Sequence, residues 1–225
     1  MLGQLFVTIG RVCSYIWPKK ITQKFKGKRD QLYTGWMARR FKHFEGHITG
    51  CIELHCGKDI SVGRGSSLQD GVRLLAWEKF EATGQTFTPE ITIGKNSVIQ
   101  KDCFLSAVDK IEIGDNVAVT EHTVILDNVH GDFQDNHLTF NENPEVPDVF
   151  LQNAYTRMLH SKGPVVIEND VHIGMYSTIL PGTHIGHHSV IAAHSTVQGK
   201  IPPYSLVGGN PARVIITFGR KKTNK

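Results

Sequence analysis

Three things are scarce in this chain of 225 residues, and each absence closes off a class of protein. Cysteine occurs only at Cys13, Cys51, Cys56 and Cys103, never at CxxC spacing. That excludes a zinc ribbon and a disulfide-framed scaffold, and it reads as ordinary thiols of a reducing, cytoplasmic compartment. Long apolar runs are missing: none approaches the roughly 18 residues that a membrane-spanning helix needs. The opening stretch MLGQLFVTIGRVCSYIW is apolar, but Arg11 interrupts it and no small-residue cleavage site follows. It is read as mature protein and not as a leader. Acid is nearly absent before the middle forties. Asp30 stands alone there among Arg11, Lys19, Lys20, Lys24, Lys26, Lys28, Arg29, Arg39, Arg40 and Lys42. The whole chain carries a formal charge of only +4, so the excess is local and no nucleic-acid partner is expected. A basic segment of this kind suits phosphates or anionic headgroups, or is simply a solvated helix face.

What is present falls into two parts. In residues 1–45, Leu2, Leu5, Phe6, Ile9, Val12, Cys13 and Ile16 recur at helical spacing until Pro18. Ile21, Phe25, Leu32, Tyr33, Trp36, Met37 and Phe41 predict a second amphipathic helix. Both apolar faces oppose a basic side, which fits peripheral membrane docking or packing on a partner subunit.

From residue 46 to 215 a period of six takes over. Ile167, Ile173, Ile179, Ile185, Ile191 and Val197 follow one another without a slip. Gly174, Gly186 and Ala192 come directly after the aliphatic, and Val171, Ser177, Thr183, Ser189 and Ser195 four after it. An earlier block runs Ile93, Ile99, Leu105, Ile111, then shifts by two to Ile113, Val119 and Ile125. Six fits neither a helix nor a lone strand. It fits a short strand plus a corner, three of which close a triangular coil. Ile167 would then stack on Ile185, and Ile173 on Ile191, at the inter-strand distance of about 4.8 Å. Gly94, Asn96, Asp115 and Asn116 mark corners where positive φ is wanted. Two interruptions, residues 73–90 and 131–163, become loops projecting from one face, and such a face is often the binding face. Residues 216–225 form a basic tail.

The register, the break at Asp127-Asn128-Val129-His130-Gly131 and the closing IPPYSLVGGNPARVI resemble the hexapeptide-repeat acyltransferases. Their galactoside, maltose and polysaccharide O-acetyltransferase branch is the nearest in pattern, from about Ile60 to Ile215. The resemblance implies an all-β fold, a left-handed parallel β-helix with amino-terminal helices and a long inserted loop. It implies a homotrimer with sites between subunits, acetyl-CoA as donor and a saccharide as acceptor. It implies His130 as general base. The branch often reads Asp-His-x-His-Gly, so Asn128 stands where a first histidine is usual. By the same resemblance Gly174, Met175, Ala192 and Ala193 contact the pantetheine arm, Arg213 reaches the nucleotide end, and Lys200 replaces a lysine usual one place earlier.

The chemistry suits these residues. A sugar hydroxyl is too weak an acid to attack a thioester unaided, and a placed imidazole contributes about 10²–10⁴-fold. Asp127, Asp132 or a backbone carbonyl is expected to orient the base. Asn128, Asp132, Arg157 and Lys162 are candidates for acceptor contact, and Trp77 for stacking on a sugar face. Trp77, Phe80 and Phe87 equally suit a cap on the end of the coil. His184, His187, His188 and His194 lack the His-x4-His pair of γ-class carbonic anhydrases, whose fold is the same, so no metal is expected. Other acceptors on the same fold (an antibiotic, serine, a sugar amine) and a non-catalytic scaffold are the competing readings.

Overall fold

A computed structural model describes residues 19–131 and 153–219. Lys19–Ala38 is an α-helix, and it is followed by short strands that run from His43 to Thr217. Three sheets of seven, eight and six strands form the sides of a triangular prism. All neighbours in them are parallel except the last pair of the eight-stranded sheet. The architecture is a left-handed parallel β-helix. The usual right-handed rule governs crossovers that pack back over one sheet; here the connection is two further sides of the coil.

One inward aliphatic per side builds the core. Ile167 pairs with Ile185, Ile173 with Ile191 and Ile179 with Val197, and each is fully buried or nearly so. The stack runs unbroken across the long insertion: Ile113 pairs with Ile167, Val119 with Ile173 and Ile125 with Ile179. The small polar residues at the corners are also buried, and their hydroxyls satisfy corner carbonyls. Ser66 Oγ donates to the Gly94 carbonyl at 2.6 Å, and Ser97 Oγ to Gly114 at 2.8 Å. A larger side chain at these places would strand those carbonyls.

The corners differ in part from expectation. Asn96 and Asn116 do adopt left-handed backbone, but Gly94 and Asp115 do not. Gly94 is needed for clearance: a Cβ there would meet the Gly114 carbonyl carbon at 2.5 Å. The left-handed positions are taken instead by residues such as His122, Tyr176, His188 and His194. Stacking offsets the unfavourable backbone, since the Tyr176 ring lies 4.7 Å from that of His122 and 5.0 Å from that of His194.

The amino-terminal helix covers the open edge of the first coil. Thr34 Oγ1 accepts from Ile48 N at 2.9 Å and lies 3.2 Å from its carbonyl, acting as a substitute strand partner. Tyr33 OH lies 3.3 Å from both N and O of Ile52. The predicted apolar face is split. Met37 and Phe41 are buried inward with Tyr33 beside them, whereas Leu32 and Trp36 point outward. Gly27 and Gly35 weaken the helix intrinsically, so docking on the coil holds it. The predicted helix over residues 2–16 lies outside the described residues.

The insertions differ from their sequence limits: the first is shorter, and the second leaves the coil earlier. Arg73–Ala76 is a coil strand in register with Phe104–Ala107, with Leu74 fully buried, so the first loop begins at Trp77. At the second, Asn128–His130 and Leu159–Ser161 pair antiparallel, forming a two-stranded base. At the far end Ala212–Thr217 folds back on Ser205–Gly209, so Ile216 and Thr217 belong to a strand and not to a tail.

Candidate active site

The coil opens immediately after the strand Val124–Leu126. Asp127 is fully buried there. Its carboxylate accepts from Val108 N at 2.9 Å, Asp109 N at 2.8 Å and Asn128 Nδ2 at 3.0 Å. Burial pushes its pKa above the ordinary carboxylate range, and these three hydrogen bonds partly oppose the rise. Asp127 is one of three groups expected to orient the base, beside Asp132 and a backbone carbonyl. Its hydrogen bonds among the described residues go to the Val108–Asp109 turn and to Asn128, and none reaches the His130 ring.

Asn128 is buried, and Nδ2 also donates to the Ser106 carbonyl at 3.1 Å. Asn128 thus ties the departing strand to the coil. A second imidazole at this place would lack the amide fork that meets Asp127 and Ser106 together. Asn128 also lines the cleft described below. Two residues on, His130 is exposed, and Gly131 turns the chain with φ of 86°.

His130 borders a cleft of about 420 Å³ lined by Trp77, Phe80, Phe104, Ser106, Leu126 and Leu159 among others. Phe80 meets the His130 ring edge-to-face at 5.5 Å. Trp77 is fixed by Nε1 donating to Ser106 Oγ at 3.1 Å, and its ring packs 4.6 Å from that of His55. Of the two uses expected for the first insertion, the structure realises a wall beside His130. Its aromatics come from the hairpin Lys79–Phe80 and Gln85–Thr86 and its approach, and Phe87 is not among the lining residues.

One residue that sequence reading missed holds this wall. Gln85 donates Nε2 to the Leu159 carbonyl at 3.0 Å and accepts from Leu159 N at 2.8 Å. Leu159 is itself paired with His130, and Gln85 with Phe80. The two insertions are therefore latched together at the base. Nothing in the sequence announces a side-chain amide acting as a strand partner over this separation.

The remaining predicted residues are not gathered here. Gly174, Met175, Ala192 and Ala193 form one corner column, with His194 N bonded to the Met175 carbonyl and Gly174 packed against Ala193 N. Lys200 is exposed on a strand beside His184. Arg213 is exposed and donates to the Ala212 carbonyl at 2.8 Å. None of these six lines the His130 cleft within one chain. Arg157 is half-buried, and its Nε has no hydrogen-bond partner among the described residues. Lys162 is half-buried on the strand side of the second insertion and does not line the cleft. Asp132 lies outside the described residues.

The histidine-rich stretch is tied to acid. His184 Nε2 lies 2.7 Å from Glu168 Oε1, which holds the Glu168 carboxyl below its usual range. Among the described residues, Cys56, Asp59 and Glu78 bring three potential ligand atoms within 4.8 Å of one another. Lys58 already neutralises Glu78 at 2.6 Å.

A family model described as bacterial transferase hexapeptide (six repeats) matches residues 164–199. WbbJ of Escherichia coli strain K12, whose name assigns it to lipopolysaccharide biosynthesis as an O-acetyl transferase, is 29% identical over 163 residues. That alignment covers 72% of this chain and 75% of WbbJ. Galactoside O-acetyltransferase of the same strain is 33% identical over 129 residues, 55% of this chain and 62% of that protein. Among solved structures, AntD, an N-acyltransferase from Bacillus cereus in complex with dTDP and 3-hydroxybutyryl-CoA, matches with a TM-score of 0.62 at 23% identity. It covers 83% of this chain and 88% of AntD, and the likeness is one of fold. With a six-residue register that closes three parallel sheets, a hexapeptide-repeat match over residues 164–199 and relatives named as acetyltransferases, the chain is similar in sequence and fold to bacterial hexapeptide-repeat acyltransferases.

Proposed function

We propose that the protein is an O-acetyltransferase that moves an acetyl group from acetyl-CoA to a hydroxyl of a saccharide, with His130 as base. One observation carries the reading. An exposed imidazole stands at the hinge where the coil opens, on the rim of a cleft walled by Trp77 and Phe80. Flat aromatic walls suit the apolar face of a pyranose, and the open rim leaves room for a thioester.

The acceptor hydroxyl gives its proton to His130 as its oxygen attacks the thioester carbonyl carbon. The tetrahedral oxyanion collapses, the C–S bond breaks, and the CoA thiolate leaves. The proton held by His130 returns to that thiolate. No covalent enzyme intermediate is needed, and Cys103 is unsuited to form one because burial pushes its thiol up to about 11.

The corner column of Gly174, Met175, Ala192 and Ala193 is the proposed track for pantetheine, with Lys200 and Arg213 toward its phosphates. Because these residues do not line the His130 cleft of their own chain, the reading has the site completed between subunits of a homotrimer. Trp77, Asn128, Asp132, Arg157 and Lys162 are the proposed acceptor side. A glycan-assembly intermediate, lipid-linked or nucleotide-linked, on the cytoplasmic side of the inner membrane is the acceptor class that fits.

His130→Ala is expected to lower acetyl transfer by about 10²–10⁴-fold with the assembly intact. Thiol release from acetyl-CoA reads the rate, and sedimentation reads the assembly. Turnover near that of the unmodified protein would sink the assignment.

A further inference from the structure

The outer face of the amino-terminal helix has no role in the chemistry proposed above, and it is built from two kinds of residue. Leu32 is 78% exposed and Trp36 62% exposed. Leu32 and Trp36, spaced by four, lie in a stripe on one side of the helix. Lys28 lies beside the stripe, and Arg39 and Arg40 follow it in the turn after Ala38; all three are exposed. Arg40 lies over the Trp36 ring with its guanidinium carbon 5.7 Å from the centroid. The one acid in the helix, Asp30, is buried on the inner side and neutralised by Arg29 at 2.8 Å. The inner face is already occupied, because Tyr33, Thr34 and Met37 dock on the first coil. The helix is therefore fixed with its stripe turned away from the β-helix.

We infer that this face seats the protein on an anionic membrane surface, with Leu32 and Trp36 entering the headgroup region and the nearby cations pairing with lipid phosphates. The composition of the helix decides for a bilayer. The helix carries Lys19, Lys20, Lys24, Lys26, Lys28 and Arg29 against Asp30 as its one acid, a charge that complements anionic headgroups. An indole with a guanidinium beside it is suited to a boundary that is apolar on one side and wet and anionic on the other. The inference is independent of which acceptor hydroxyl is used. It supplies a reason for a catalytic coil to sit beside a lipid-linked acceptor.

The full-length protein is mixed with vesicles of phosphatidylcholine alone or of phosphatidylcholine with phosphatidylglycerol, and binding is read by flotation at low and high salt. Binding is expected to require phosphatidylglycerol and to fall with salt. The double variant Leu32→Ser, Trp36→Ser and the double variant Lys28→Glu, Arg39→Glu should each weaken binding at least about tenfold. Acetyl transfer to a soluble acceptor should survive in both variants, which separates this face from the His130 chemistry. Absence of vesicle binding by the unmodified protein overturns the inference, as does binding that neither variant reduces. A change of oligomeric mass in the variants also overturns it, by making the stripe a contact with a second copy.

Discussion

Replacing Asp127 by asparagine separates two roles for a buried carboxylate beside the proposed base. One oxygen accepts from Val108 N and Asn128 Nδ2, and the other from Asp109 N at 2.8 Å. An asparagine keeps the first oxygen and sets an NH₂ group against the Asp109 amide. A hydrogen bond to a charged acceptor is lost and a donor is left facing a donor, while the cost of burying a charge disappears. The net effect is expected to be about 2 kcal/mol destabilising. For a chain of this length that lowers Tm by about 4–8 °C. The pH dependence has a definite sign. Burial raises the folded-state pKa of Asp127, so on acidification the folded protein takes up this proton before the unfolded chain does. This site favours folding most in acid, and the benefit declines as pH rises from the unfolded value through the folded one. The gap between the unmodified protein and Asp127→Asn should therefore be widest in acid and narrow toward neutrality. Thermal unfolding of both proteins at each pH, followed by circular dichroism, measures it. Acetyl transfer should fall modestly, through displacement of Asn128 and the strand carrying His130. An Asp127→Asn protein with unchanged Tm and a loss of kcat beyond a thousandfold would refute the reasoning, because only direct contact with the imidazole would give that pattern.

Two further outcomes follow from the same geometry. Gln85→Ala removes both hydrogen bonds to Leu159, and it should raise KM for the acceptor by about tenfold while KM for acetyl-CoA stays near its original value. Steady-state kinetics with each substrate varied in turn checks this, and an equal rise in both constants would count against a latch that shapes only the acceptor wall. Cys103 is buried, donates to the Thr120 carbonyl at 3.0 Å and has its thiol pushed up to about 11, whereas Cys51 is exposed. A thiol reagent should label Cys51 in the folded protein and reach Cys103 only after unfolding, as peptide mapping by mass spectrometry would show.

The core was legible because each side of the coil sends one aliphatic inward, so the six-residue period maps directly onto the stack of Ile167, Ile185 and their neighbours. The buried serines were visible as a pattern four places later, although their partners, carbonyls such as those of Gly94 and Gly114, were not. The helix was legible as a helix, but not as a face. Tyr33 and Met37 are adjacent in pattern to Leu32 and Trp36, and only the docking of Thr34 on Ile48 decides which pair turns inward. The break at His130 was visible as an interruption of the register. The work of Asp127 was not, because a carboxylate beside a histidine in sequence says nothing of the Val108 and Asp109 amides a coil away. Gln85 was invisible for a related reason: its partner is 74 residues distant and is a backbone group, which carries no residue-type signal.

The alignment of Ile113 with Ile167 and of Ile125 with Ile179 has an engineering consequence. The strands on either side of the second insertion meet as though nothing lay between them, and the insertion's own ladder, Asn128–His130 with Leu159–Ser161, stands outside the three sheets. Whatever is spliced between Gly131 and Met158 leaves every stacked aliphatic where it was. The segment is thus an exchangeable cassette on a constant chassis. Grafting in the corresponding stretch of a relative would test whether this segment sets the proposed acceptor, without redesigning the fold that presents it.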